Sequence, residues 1–370
     1  MNILIVPDKF KGSATAIDVA KSIEKGIKTI NKNTKIAIQP MADGGDGSID
    51  LLNAVYGLEE HKVLVNNPLF RSILATYFTN SDTAFIEMSK ASGLALLKKE
   101  EQNCLKTTSQ GTGKLILDAY EKGFRKIKLF IGGSATNDAG IGIATALGYC
   151  FYDKNDNIVI PIGGNLSKIY NIKSTQLTEK IRALDIEVIC DVNNPFYGKN
   201  GAAYVFAKQK GADRKAIETL DYGLQHINRI FVKNGFTDVQ NIAGAGAAGG
   251  IGGGMIAFFN AQLTAGIDMF IELFNLEKKV KNADLVITGE GRLDTQSFDG
   301  KVVGGLYKLC KKHQKSMIVV CGQVLESEKL PLKNKQIYTV IDQAENLENA
   351  INNPLKYLET IGQTIEQSNI

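Results

Sequence analysis

The chain has 370 residues, 44% of them hydrophobic and 22% charged, with a formal net charge of +4. That length allows two domains or one large one, with a sizeable core. So small a charge argues against the concentrated basic face that nucleic-acid binding requires, and no such partner is expected.

The predicted elements alternate. "NILIVP" (2–7) reads as a strand and "TAIDVAKSIEKGIKTI" as an amphipathic helix; "KIAIQP" (35–40) and the helical "IDLLNAVYG" repeat the pattern. Near the other end, "DLVITG" (284–289), "SMIVVCG" (316–322) and "IYTVID" (337–342) are continuous apolar runs followed by polar or helical sequence. Runs of this kind suit a parallel sheet covered on both faces, and the alternation implies an open α/β layer structure. From about 61 to 240 the texture changes to alternating strands such as "SILATYF" and "TAFIEMS", with turn clusters at "YDKNDN" and "NNPFYGKNG". The expectation is a Rossmann-like α/β domain built from residues 1–62 and 281–370, and an α+β domain inserted at 63–280.

Membrane and secretory signals are weak. Residues 244–267 carry no charge, but their first half is mostly Gly and Ala, so a spanning helix is not expected. The N-terminal apolar stretch stops at Pro7, Asp8 and Lys9, too short for a signal peptide. Five scattered cysteines with no CxxC pair read as buried free thiols of a cytoplasmic protein.

The 37 glycines cluster where strands should end. In a parallel sheet, ligands bind beyond the carboxyl ends of the strands. "PDKFKGS" places Asp8, Lys9 and Lys11 there, "MADGGDGS" places Asp43, Gly44, Gly45 and Asp46, and "TGEGRLD" places Glu290, Arg292 and Asp294. A glycine loop leading into a helix exposes amide donors that suit a phosphate. Two carboxylates in such a loop would repel a bare phosphate but suit a Mg²⁺–phosphate group, which assigns Asp43 and Asp46 to the metal. "IGGSATNDAGIGIATALG" supplies a second cradle through Gly132, Gly133, Ser134, Thr136 and Asn137, with the acid Asp138 at its mouth as a further metal candidate. "EVICDVNN" leaves Asp191 and Asn193 after a buried strand, a position for a base or metal ligand.

Several lookalikes are set aside. "GAGAAGG" (244–250) lacks the preceding strand of a dinucleotide fingerprint and reads as a tight helix-start loop. "SQGTGKL" (109–115) departs from a phosphate-binding P-loop at Thr108 and Leu115, and "DKNDNI" (153–158) is a hairpin turn rather than a calcium loop. His61, His226 and His313 have no metal-ligand spacing. Without a covalent nucleophile or zinc motif, the lysines, acids and glycine loops fit phosphoryl transfer, where positioning and charge neutralisation do the work.

"VPDKFKGSATAIDVAKSIEKG", "MADGGDGS", "IGGSATNDAGIGIATALG", "CDVNNPFYGKNGAAYVFAKQKGA", "GAGAAGGIGGG" and "DLVITGEGRLDTQSFDGKV" resemble, in order and over almost the whole chain, the bacterial type I glycerate kinase family. The family often has Ser where this chain has Lys9 and Glu where it has Asp46, which makes Lys11 the stronger lysine. The resemblance implies an ATP- and Mg²⁺-dependent kinase with a nucleotide and D-glycerate as its small-molecule partners. It implies two domains with the site in the cleft between them, and phosphoglycerate as product, 2-phosphoglycerate favoured. On that footing Lys11, Lys9 and Arg71 are candidates for substrate or phosphate charge, Glu290 for substrate, and Asp191 or Asp294 for the general base. The alternatives are a non-catalytic small-carboxylate binding protein and a nicotinamide-dependent oxidoreductase. The sequence leaves open the oligomeric state, a homodimer included.

Overall fold

The structure is a computed structural model that describes residues 1–45, 47–298, 300–325, 327–333 and 336–368. Its strands in chain order are β1 Asn2–Pro7, β2 Lys35–Ile38, β3 Glu59–Asn66, β4 Ser72–Thr79, β5 Thr83–Glu87, β6 Lys126–Phe130 and β7 Cys150–Tyr152. They continue with β8 Asn171–Lys173, β9 Asp185–Ile189, β10 Gln262–Thr264, β11 Leu285–Leu293, β12 Ser316–Val324 and β13 Ile337–Thr339.

The chain divides into two compact units, Met1–Leu51 with Ala265–Ile370, and Leu52–Thr264. These boundaries lie earlier than 62 and 280. β3 pairs with β4 and so belongs to the second unit, while the helices Gly266–Leu273 and Leu276–Asn282 fall in the first.

Unit 1 is a five-stranded sheet of order β13-β12-β11-β1-β2, and every pair in it is parallel. The two chain ends meet in its centre, where Ile3 to Pro7 align with Leu285 to Gly289. The apolar runs of β1 and β11 are buried because helices cover the sheet. One such helix is Ala16–Ile30, which sends Val19, Ala20, Ile23 and Ile27 inward at helical spacing. Thr15 starts it by accepting the Asp18 amide at 3.2 Å. The Rossmann-like sheet built from both chain ends is therefore present. One difference matters for the site: the strand in "TGEGRL" does not stop at Gly289. β11 runs on to Leu293, with Glu290 opposite Cys321 and Arg292 opposite Gln323 on β12.

Unit 2 holds a six-stranded mixed sheet of order β10-β9-β6-β5-β4-β3, parallel from β10 to β5 and antiparallel from β5 to β3. β7 and β8 form a separate antiparallel pair. The "YDKNDN" turn follows β7, with the Asn155 and Asn157 amides donating to Asp153 Oδ1 at 2.8 and 3.0 Å. The uncharged stretch is helical within Ala247–Phe259, interrupted by left-handed backbone at Ala248, Gly249 and Gly250, and packs in a cluster of Phe231, Phe236, Phe258 and Tyr149 rings. No helix among the described residues is long and apolar enough to cross a membrane.

Candidate active site

In unit 1 three adjacent parallel strands deliver acids to one edge. β1 ends at Pro7 and is followed by Asp8; its neighbour β11 reaches Glu290 just past the Pro7–Gly289 pair; β2, on the other side, leads to Asp43. The turns are stitched together. The Asp8 amide donates to the Gly289 carbonyl at 2.8 Å, and the Met41 amide donates to the Pro7 carbonyl at 2.9 Å.

The "MADGGDGS" loop is built by its own residues. Gly44 and Gly47 have φ of +94° and +83°, the left-handed region where a Cβ is strained. Asp43 Oδ1 accepts the Gly45 amide at 3.0 Å, so this acid shapes the loop rather than capping the helix Ser48–Tyr56. The start of the helix Gly266–Leu273 presses on the same loop: a Cβ on Gly266 would sit 1.9 Å from the Asp43 carbonyl oxygen. Asp46 lies outside the described residues.

Burial, with like charges adding to it, sets the electrostatics. Burial, reinforced by the Asp43 and Glu290 charges, pushes Asp8 from its ordinary 3.8 up to about 7, against the pull of the Lys9 amide and ammonium. Burial also raises Glu290, with Asp294 and Asp43 adding to it while the Ser297 hydroxyl and Lys301 oppose it. Glu290 Oε1 is buried without a hydrogen-bond partner. Asp294 faces Arg292 at 3.4 Å and accepts the Gln296 amide at 2.9 Å. Lys9 Nζ lies 3.5 Å from where a Gly47 Cβ would be; Lys11 is exposed, with its backbone beside Gly291. The structure thus brings Asp43, Glu290, Asp294 and Lys9 to one sheet edge and adds Asp8 as their most perturbed member. The sequence named Asp8 in the "PDKFKGS" loop but gave it no role.

Among the described residues no group of three or more His, Cys, Asp or Glu side chains is arranged to hold a metal ion. Magnesium carried by a nucleotide needs only one or two protein carboxylates, the remaining oxygens coming from phosphates and water. The unpartnered oxygen of Glu290 and the neighbouring Asp43 fit that donor set.

Unit 2 carries the second glycine loop after β6. Gly132 and Gly133 are exposed, while Thr136, Asn137 and Asp138 are fully buried. Asp138 does not sit at a mouth. Its carboxylate accepts the Ser109 amide and hydroxyl, both at 2.8 Å, and the Gly140 amide at 3.2 Å, and burial raises its pKa. The Ser109 hydroxyl in turn accepts the Ile143 amide at 3.1 Å. The donors that open the short helix Ile141–Ala146 are thereby used inside the protein, and the P-loop lookalike at Ser109 serves to hold them.

The glycines of "GAGAAGG" also answer to packing. No strand precedes them, and a Cβ on Gly249, or on Gly254 in the "IGGG" that follows, would lie 2.2 Å from the Thr136 carbonyl oxygen or 2.0 Å from that of Ala139. They let this helix lie against the 136–139 segment. Lys210, which the sequence did not single out, is buried against the same segment, with Nζ 2.7 Å from both Ser134 Oγ and the Thr136 carbonyl oxygen.

Arg71 is exposed and paired with Glu101 at 2.7 Å. Asp191 is exposed two residues beyond the end of β9. The histidines serve packing and surface contacts: His61 stacks on Tyr77, His226 lies 2.6 Å from the Ile169 carbonyl oxygen, and His313 lies 2.7 Å from Glu277. All five cysteines are free.

Comparison with known proteins gives this geometry a context. The chain is 42% identical over 329 residues to the glycerate 2-kinase of Escherichia coli (strain K12), covering 88% of this chain and 86% of that one. It is 36% identical to the glycerate kinase of Bacillus subtilis (strain 168), over 100% of this chain and 97% of that one. A crystal structure assigned as glycerate kinase 2 from Salmonella typhimurium LT2 superimposes with a TM-score of 0.86 at 37% identity, covering 100% of this chain and 98% of the other. A family model described as the glycerate kinase family matches residues 3–368. The chain therefore belongs to the glycerate kinase family and is an enzyme of phosphoryl transfer to an alcohol.

Proposed function

We propose that this enzyme is of the bacterial type I class and transfers the terminal phosphoryl group of ATP, with Mg²⁺, to a hydroxyl of D-glycerate, releasing ADP. The 2-hydroxyl is the favoured acceptor, in keeping with the name of the Escherichia coli relative. The observation that carries this reading is the convergence of Asp8, Asp43 and Glu290, with Lys9 beside them, at the carboxyl edge of β11, β1 and β2.

Asp43 and Glu290, with Asp46 from the same loop as Asp43, would face the ion, whose charge offsets that developing on the phosphates. Lys9 and Lys11 supply further positive charge toward substrate or phosphate, and Arg71 is kept as a substrate-binding candidate that must first release Glu101. Gly44 presents a loop amide, whereas that of Gly45 already donates to Asp43 Oδ1, and the exposed Gly132 and Gly133, with the buried Ser134 behind them, form a turn for phosphate. Asp138 is assigned to bracing rather than to the metal, because three internal donors already hold it.

The hydroxyl proton needs an acceptor whose pKa lies near the working pH. Asp8, at about 7, meets that condition in the ligand-free protein. Asp294 and Asp191 are the competing acceptors, and substitution separates the three. Asp8→Asn is expected to lower kcat about 10²–10⁴-fold, with Asp191→Asn and Asp294→Asn within about tenfold. Near-normal turnover in Asp8→Asn with a collapse in one of the others would move the role to that residue. ADP release on mixing ATP, Mg²⁺ and D-glycerate tests the reaction, and phosphorus NMR of the product tests the acceptor hydroxyl. Binding of D-glycerate without ADP release, or 3-phosphoglycerate as sole product, would refute the corresponding part.

A further inference from the structure

Lysine is among the residues least often fully buried, since its ammonium loses hydration. Lys210 is 2% exposed, while Lys208, two residues earlier, is exposed. Local geometry drives it inward. The turn Lys208–Lys210 ends at Gly211, whose φ is +87° and whose Cβ, if present, would lie 1.8 Å from the Gln102 carbonyl oxygen. Only glycine permits that approach, and it seats the turn against the interior.

The buried ammonium is 2.7 Å from Ser134 Oγ and 2.7 Å from the Thr136 carbonyl oxygen. An ammonium has donors and no acceptor. Ser134 Oγ must therefore accept from it, which leaves the serine proton to be donated elsewhere. Two further features mark this segment. Thr136 Oγ1 and both amide atoms of Asn137 are buried without partners, an uncommon cluster in a native protein. A Cβ on Gly132 would meet nothing within 4 Å, so this glycine, unlike Gly249 or Gly254, is not demanded by packing and leaves open space beside the turn.

We propose that Lys210 is a positioning residue for phosphate: from beneath the Gly132–Ser134 turn its ammonium holds the Ser134 hydroxyl as an outward donor to an anionic phosphoryl oxygen and adds positive potential to the turn. This rests on the kinase reading above and gives its second glycine loop the cation that the sequence left unassigned. A residue needed only to tether two segments would not require a charge at this depth. The ionisable groups facing Lys210 are the Cys104 thiol and the Asp138 carboxylate. Both favour the ammonium, while burial, the largest influence, pulls the lysine down to about 8.

The test compares the wild-type enzyme with Lys210→Met and Ser134→Ala, using initial rates of ADP formation with ATP and D-glycerate varied in turn. Loss of a charged hydrogen-bond donor predicts a rise of about 10- to 100-fold in the KM for ATP in Lys210→Met, and loss of a neutral one about 3- to 10-fold in Ser134→Ala. In both, kcat and the KM for D-glycerate stay within about threefold, a split that simple loosening of the fold would not produce. In the wild type, 1/KM for ATP falls as pH rises through about 8, and this limb is absent from Lys210→Met. If Lys210→Met does not fold, Ser134→Ala decides. An ATP KM within twofold of wild type in the folded variants overturns the proposal, as does a rise confined to D-glycerate, which would assign the turn to a carboxylate. Should the wild type release no ADP, the kinase reading fails separately. Calorimetric titration of ATP into wild type and variants then decides the role of Lys210 by the same fold-change in Kd.

Discussion

Asp8→Asn is expected to turn over D-glycerate about 10²–10⁴-fold more slowly and yet to melt at a higher temperature than the wild type at pH 8. The two effects share one cause. Asp8 is half-buried beside Asp43 and Glu290, and its pKa stands at about 7 against an ordinary 3.8. Between these values the folded protein holds a proton that the unfolded chain has released, so stability falls as pH rises. The cost is complete above about pH 7, where the folded protein must carry the charge. Replacing the carboxyl by an amide of the same shape removes it, a gain of about 2 kcal/mol after allowance for partial solvent access. At pH 4, where the folded wild type is already protonated, most of that gain should vanish. Thermal melts of the ligand-free protein at pH 4 and pH 8 measure the difference, and an equal shift at both would show that charge is not the cause. Kinetics supply the second readout. In the wild type, kcat/KM for D-glycerate should rise with pH through about 7, because it reports the free enzyme's base, and Asp8→Asn should lose that limb.

The largest loss of stability is expected from Asp138→Ala. The substitution strands the Ser109 amide and hydroxyl and the Gly140 amide in a fully buried place. Each orphaned donor costs about 1–3 kcal/mol. The deleted carboxylate no longer bears its own burial cost, which returns part of the sum. A net destabilisation of about 3–4 kcal/mol follows, read as a shift of the urea midpoint for unit 2 and as faster amide exchange in the helix Ile141–Ala146. Asp138→Asn keeps one acceptor oxygen and should lose about half as much. Its apparent Mg²⁺ requirement should match the wild type; a large rise in the Mg²⁺ concentration needed for half-maximal rate would instead return Asp138 to the metal.

Much of the architecture was legible in the one-dimensional pattern. Continuous apolar runs such as "NILIVP" and "DLVITG" can be satisfied only by strands covered on both faces, and they became the central pair β1 and β11. The "MADGGDGS" turn was readable for a related reason, since Gly44 and Gly47 take backbone angles strained for other residues. Other readings stopped short. "TGEGRLD" looks like a loop because of its glycines, yet Gly289 and Gly291 lie within a strand held by its parallel partner β12. Asp138, read as an acid at an entrance, is an internal acceptor, because Ser109 donates to it from a helix start that sequence alone does not place beside it. Arg71 reads as a free cation until Glu101 meets it.

Periodicity and backbone preference, acting over a few neighbouring residues, set the layer type, the parallel sheet drawn from both chain ends, and the loops that carry acids, lysines and glycines. Which charges are buried, and which groups they face, emerges from the folded chain alone. Asp8 becomes a carboxyl of about 7 through burial and, after it, the charges of Asp43 and Glu290, and Lys210 rather than Lys208 is carried inward to Ser134. Desolvation and Coulomb interaction act through space, between segments far apart along the chain, and residue type and local spacing do not encode them.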